Sequence, residues 1–282
     1  MQDGLKINKL EKFTFYNDEI VLEYDPIKHI YLFNGDVVPS VTEVVKIIDK
    51  SNILINWAVK ITIEKLLASV SFPITEEELT EKALEAKKAH RERLEDAGAV
   101  GTRAHNWIEG FIKGDLDVGD IPDDPRVINC CDSSVKWMNA HDVKWVCTER
   151  KIYSREHKYA GTLDGIAYVS SCQDKKCCPD EFKNRLSLID WKTSNALYPE
   201  YVLQVSAYGK AYEEETKTSL EDRWIIRLGK TEGDFEIWHL GMETYDSDFM
   251  TFRNALDLSK SMKALNNRIA GERNNRAKKR KN

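Results

Sequence analysis

The chain has 282 residues, enough for one large α/β domain or for a domain with an appendage. With 41% hydrophobic and 10% aromatic residues it can bury a sizeable core, and it has neither a run of roughly 18 apolar residues nor the apolar centre of a secretory signal, so global disorder, a membrane span and secretion are all excluded as expectations. The net charge of −5 predicts no polyanion partner by itself, and a soluble cytoplasmic protein is expected.

In chain order, Ile20–Tyr24 and His29–Phe33 read as short strands, with an Asn34-Gly35 turn after the second. Pro39-Ser40-Val41-Thr42 then leads into a helix over Glu43–Ile48, with Ser40 as N-cap and Glu43 completing a capping box. Helices are predicted over Ile55–Leu67 and Thr75–Ala97. Gly98 and Gly101 interrupt, and Thr102 begins another helix to about Lys113. A loop from Gly114 to Pro125 precedes a helix over Arg126–His141, where Val127, Cys131, Val135 and Met138 recur at helical spacing.

The pattern then turns to strands at Lys144–Ser154, Thr162–Val169 and Leu186–Trp191, with the polar insertion Ser170–Arg185 between the last two. A helix over Glu200–Glu215 carries Val202, Val205, Tyr208, Ala211 and Tyr212 inward. Strands at Trp224–Leu228 and Phe235–Leu240 flank a turn at Lys230–Gly233, and a helix over Phe249–Asn267 closes the domain. The predicted fold is α/β, a mixed central sheet flanked by helices with an N-terminal helical portion. Residues 1–267 form a single domain in this reading, helical over about 40–141 with its core over about 142–267.

Residues 268–282 form a basic tail. It holds seven bases and the single acid Glu272; removing them from 42 bases and 47 acids leaves 35 against 46, a body at −11. A basic tail on an acidic body fits a nucleic-acid arm, and equally a solubilising terminus. The six cysteines include the neighbours Cys130-Cys131 and Cys177-Cys178, an arrangement that favours reduced thiols over a disulfide frame. Cys172, Cys177 and Cys178 raise a zinc or iron–sulfur site, but C-x4-C-C matches no familiar ligand spacing, and the reading is a loop of free thiols.

Leu188-Ile189-Asp190-Trp191-Lys192-Thr193 carries the most chemistry. Alternation along a strand points Asp190 and Lys192 to one side and Ile189 and Trp191 to the other. Taken alone, an acid and an amine so spaced form a surface ion pair. Gly161-Thr162-Leu163-Asp164-Gly165 changes the weighing, because a hairpin can set Asp164 beside Asp190. Two carboxylates at close range repel, and a hard divalent cation such as Mg²⁺ or Mn²⁺ removes that penalty. Lys192 then lies next to the metal, able to orient or help deprotonate a water, as metal-assisted phosphodiester hydrolysis requires. In isolation Asp164 is a turn-capping residue beside Gly165. Asp190 and Lys192 are expected to lie outside the core.

The set Tyr159-Ala160-Gly161-Thr162-Leu163-Asp164, Leu188 to Thr193 and Gln204-x-x-x-Tyr208 resembles the PD-(D/E)XK nuclease superfamily, in particular the RecB-like exonuclease branch of phage exonucleases and of the mitochondrial genome maintenance exonuclease. The likeness continues upstream in Pro39-Ser40-Val41-Thr42, Trp57-Ala58 and Gly101-Thr102-x-x-His105-x-x-x-Glu109, and spans roughly residues 29–260. It implies a restriction-endonuclease-like fold with metal ligands at Asp164, Asp190, the carbonyl of Trp191, and His105. It further implies Lys192 as catalytic lysine, with Gln204 and Tyr208 supporting the site and DNA.

Glu109, one turn after His105, is either an orienting partner for that imidazole or a solvated acid. Glu149 stands as a supporting acid, and Arg227, Lys230 and the tail as phosphate contacts. His29, His90, His141, His157 and His239 have no comparable context. The second acid is Asp190 where the superfamily more often has Glu. No cysteine follows Cys178, so the iron–sulfur cluster of some RecB-like nucleases is expected to be absent.

The implied activity is Mg²⁺-dependent exonucleolytic hydrolysis of DNA, single strand or duplex end, in phage recombination, replication or DNA degradation, alongside recombination or replication proteins. The alternatives are an endonuclease of the same fold and a non-catalytic DNA-binding recombination module.

Overall fold

A computed structural model describes residues 10–279. Its elements run β1 (Glu11–Phe15), β2 (Ile20–Asp25), β3 (Ile30–Phe33), β4 (Asp36–Val38), α1 (Val41–Val45), α2 (Ser51–Ser69), α3 (Glu76–Ala86), α4 (Ala89–Lys113), α5 (Pro125–Ala140), β5 (Lys144–Ser154), β6 (Tyr159–Val169), β7 (Arg185–Lys192), α6 (Pro199–Thr216), β8 (Asp222–Leu228), β9 (Phe235–Leu240) and α7 (Tyr245–Lys279). They group into two compact units. The first comprises the chain up to Ile47, Val135–Arg227 and the chain from Phe235; the second comprises Ile48–Ser134 and Leu228–Asp234.

In the first unit β1 to β4 form an antiparallel meander. Asn34 and Gly35, at φ +53° and +84°, make the β3–β4 turn, a backbone that Asn and Gly adopt most cheaply. Period-two alternation sends Phe15, Ile20, Leu22, Tyr24, Tyr31 and Val38 inward, where they pack with Tyr153 of β5 and Ala160 of β6. Ser40 caps α1, its hydroxyl accepting from the Glu43 N–H at 3.1 Å.

The central sheet has the order β5-β6-β7-β8-β9. β5, β6 and β7 are antiparallel, whereas β7 and β8 run parallel and are joined by α6, the crossover that a parallel pair needs. This is the mixed α/β fold expected from the sequence. One face is covered by α1, α6 and α7, whose Val41, Val44, Leu203, Tyr208, Phe249 and Phe252 bury Leu163, Leu188 and Ile225. Next to Trp191 and Trp224, Trp137 of α5 packs edge-on at 5.4 and 5.6 Å between ring centres.

In the second unit, Thr75 caps α3 through a reciprocal capping box with Glu78. The helix expected over Thr75–Ala97 breaks at Lys87-Lys88, and α4 then runs unbroken through Gly98 and Gly101, so neither glycine ends a helix. A helical glycine costs only about 1 kcal/mol relative to alanine. Burial of Val100, Ala104, Trp107 and Ile108 along α4 exceeds that cost. Gly114, at φ +77°, closes the helix. At the other end of the chain α7 extends past Asn267 to Lys279, so most of the basic segment has a helical backbone. Arg280–Asn282, and the tail's side chains beyond Arg273, lie outside the described residues. Among the described residues no helix is long and apolar enough to cross a membrane.

Candidate active site

The register of β6 on β7 pairs Gly165 with Ile189, which sets Asp164 across from Asp190 at the next position. Asp164 Oδ2 accepts from the Trp191 N–H at 2.7 Å. Lys192 Nζ lies 2.6 Å from Asp190 Oδ2, as their shared side of the strand predicts. Asp190 is only 1% exposed, so this carboxylate is a buried group and not the peripheral one expected. Parallel pairing with β8 and the cover of α6 bury it, an effect outside the reach of strand alternation.

Electrostatics follow from that burial. Burial pushes the Asp164 carboxyl above its ordinary pKa, while the Lys192 charge and the Trp191 N–H pull the other way. For Lys192, burial works against the ammonium, but Asp190 and then Asp164 outweigh it and the pKa is raised. Burial, followed by the same two aspartates, holds the Tyr208 phenol well above its usual value. The tyrosine therefore stays neutral beside the carboxylates.

α6 delivers three groups to this side of the sheet. Tyr201 lies under Lys192, with Nζ 4.9 Å from the ring centre. Gln204 is buried, and its Oε1 has no hydrogen-bond partner among the described residues. Tyr208, one turn on, rests against Gly161, where an added Cβ would stand 2.7 Å from its ring. Gly161 is thus the residue that lets α6 approach β6. A cleft of about 220 Å³ bordered by Tyr31, Thr162 and Tyr208 opens here, and Tyr31 and Thr162 join through their hydroxyls at 2.7 Å.

Glu149 of β5 has a carboxylate oxygen within 4.8 Å of one from Asp164. Its φ of +47° is a strained backbone for a non-glycine residue inside a strand, and such strain gathers at functional positions. The sequence marked Glu149 only as a supporting acid; the strain has no signature in residue type. Tyr201, in the first turn of α6, has no role in the sequence reading, and Gly161, read from the sequence as a turn within the motif leading to Asp164, lies inside β6.

The remaining predicted residues are distributed as follows. Arg227 of β8 donates through Nε to Glu236 of β9 at 2.8 Å, so its charge is partly matched within the sheet. Lys230 belongs to the second unit, where its carbonyl accepts from Asn129 and burial lowers its pKa. His105 and Glu109 sit one turn apart on α4 of the second unit, and Glu109 forms an ion pair with Lys113 one turn further on.

An oxygen-ligated divalent cation fits the residues present. Asp164 and Glu149 bring two carboxylates within 4.8 Å of each other, and Asp190 acts with Asp164 on the neighbouring Lys192 ammonium. Hard oxygen donors of this kind suit Mg²⁺ or Mn²⁺.

No protein-family model and no curated protein matches the chain. It is similar to a solved structure, SSO0001, at 12% identity and a TM-score of 0.31, covering 73% of this chain and 86% of that one.

Proposed function

We propose that the chain is a metal-dependent DNA exonuclease of the PD-(D/E)XK type, resembling the RecB-like branch. The observation that carries this reading is that Asp164, in the middle of β6, accepts from the Trp191 N–H between Asp190 and Lys192 of β7, and that both aspartates act on the Lys192 ammonium. Glu149 lies close to Asp164, and Tyr208 of α6 feels the charges of both aspartates, which supports the reading. An isolated surface ion pair needs none of this burial, which costs stability unless the site uses it.

In this mechanism Asp164, Asp190, the Trp191 carbonyl and Glu149 would hold the cation, and the resemblance implies His105 as a further ligand. When bound, Mg²⁺ would supply Lewis-acid stabilisation of the phosphate and a water of lowered pKa. Lys192, kept cationic beside Asp190, presents N–H donors to a phosphate oxygen or to the attacking water. Tyr201 stacks against the Lys192 head and restricts its swing. Tyr208 stays a neutral donor beside two acids, and its contact with Gly161 fixes α6 against the strand that carries Asp164. Arg227, Lys230 and the basic tail serve phosphate contacts that position DNA without reading sequence.

End-labelled linear DNA, single- and double-stranded, tests the reading. With Mg²⁺ the purified chain should release nucleotides from ends, and Asp190→Asn and Lys192→Ala should not. Nicking or linearisation of covalently closed circles would select the endonuclease. Binding without any cleavage would select the non-catalytic module.

A further inference from the structure

A second cluster of ligating side chains lies in the first unit, apart from the carboxylates and unused by the proposed reaction. His141, just past the end of α5, and Cys172, Cys177 and Cys178 of the β6–β7 insertion each offer one ligand atom, and the four atoms lie within 4.8 Å of one another. We propose that these four residues form a structural zinc site of the Cys₃His type. This does not depend on the nuclease reading.

The distances carry the assignment. Zinc takes sulfur at about 2.3 Å and imidazole nitrogen at about 2.0–2.1 Å in a tetrahedron, so its edges are about 3.8 Å between sulfurs and about 3.5 Å from nitrogen to sulfur. Cys172 and Cys178 stand 3.5 Å apart through their Sγ atoms, and Cys177 and Cys178 3.6 Å apart. His141 Nε2 lies 3.3 Å from Cys177 Sγ. These three of the six edges are within a few tenths of an ångström of the tetrahedral value, and all four atoms lie within 4.8 Å of one another.

The imidazole is also prepared as a ligand. Its Nδ1 lies 2.8 Å from the Trp137 carbonyl, which can only accept, so Nδ1 carries the hydrogen and Nε2 keeps its lone pair toward the sulfurs. The ring stacks on Trp137 at 4.7 Å and meets the edge of Trp224 at 5.3 Å, which fixes its plane. His141 and Cys178 are buried. The backbone presents the thiols in the same way. Asp174 O accepts from both Cys177 N–H at 3.0 Å and Cys178 N–H at 2.8 Å, and Cys172 N–H donates to Cys178 Sγ at 3.3 Å.

A hydrophobic packing role explains buried cysteines, but not an imidazole nitrogen aimed into three converging sulfurs. A disulfide would use two of the sulfurs and leave the third thiol and the imidazole without purpose. The insertion itself has no helix or strand between β6 and β7, and most of Gln173–Lys176 is exposed, so it gains little from burial. A metal joining it to the end of α5 supplies the missing constraint, as zinc does where a small segment lacks a core of its own. Zinc binding converts the three thiols to thiolates and releases their protons to solvent.

The experiment is metal analysis of the full chain, produced with zinc in the medium and purified under reducing conditions without chelator. One zinc per chain is expected, released in step with thiol blockage by a mercurial. Cobalt exchanged into the site should give the intense visible absorption of a tetrahedral thiolate centre. Cys177→Ser with Cys178→Ser should lose the zinc; should that variant fail to fold, the metal content of the unaltered chain decides. Four results would overturn the proposal. These are no bound zinc after reconstitution, a Cys172–Cys178 disulfide in the reduced preparation, iron with acid-labile sulfide, and a full equivalent of zinc retained by the double variant.

Discussion

The first unit carries two clusters of metal-ligating side chains, and they differ in donor chemistry and in setting. On the α6 side of the central sheet, Asp164, Glu149 and Asp190 offer hard oxygens beside Lys192, on strands whose positions are locked by ladder pairing. In the β6–β7 insertion, three soft sulfurs and an imidazole converge from a segment with little regular structure. Oxygen ligands suit an exchangeable Mg²⁺ that keeps waters and meets substrate, whereas a closed thiolate set suits a resident zinc with no open position. A rigid scaffold presents the site proposed for chemistry. A weak scaffold holds the site proposed to stabilise it.

That contrast can be broken most directly at the carboxylates. Asp190→Asn, a buried change that keeps shape, is expected to reduce DNA cleavage by about a hundredfold to a thousandfold while zinc content stays at one per chain. Lys192→Ala should do the same, both read by end-labelled DNA digestion beside metal analysis. Loss of zinc in either variant would merge the two clusters into one system.

Chelation separates them next. Brief treatment with EDTA should abolish cleavage and Mg²⁺ should restore it, with the zinc retained throughout. Replacement of Cys178 by serine is expected to act in the opposite sense. Zinc is lost and the melting temperature falls, while cleavage at low temperature persists with added Mg²⁺.

A smaller effect is expected at Gly161. Alanine there pushes on the Tyr208 ring and should cost about 1–3 kcal/mol of stability in a denaturant titration, with cleavage reduced and zinc unchanged. Asp124→Asn, remote in sequence from both clusters, should do least. Arg126 hydrogen bonds hold the Asp124 carboxyl well below its usual pKa. Its contribution is present above the unfolded value of about 3.9 and fades as pH falls through the lower folded one. A thermal melt against pH of wild type and variant, differing only slightly at neutral pH and converging in acid, checks this.

Much of the central sheet was legible because its signals are local. β5 and β9 follow the alternation that predicts their bounds, and Asp190 and Lys192 share a side because a strand repeats every two residues. The Asn34-Gly35 turn and the Ser40 cap likewise depend on immediate neighbours. β1 and β4 were not read, since five and three residues at the margin of a meander carry little periodicity. The continuity of α4 through Gly98 and Gly101 was misread, because a glycine's modest local cost is set against burial that only packing provides.

By itself, then, the order of residues determined the elements of the central sheet, the hairpin that brings Asp164 toward Asp190, and the acid–amine pair at the end of β7. Tertiary structure alone decided that Asp190 is buried, that Glu149 bends into a left-handed backbone, and that His141 faces three cysteines beyond two intervening strands. The physical reason is range. Periodicity and capping act over a few residues, whereas burial, strain and a shared ligand shell arise only where segments distant in the chain are packed together.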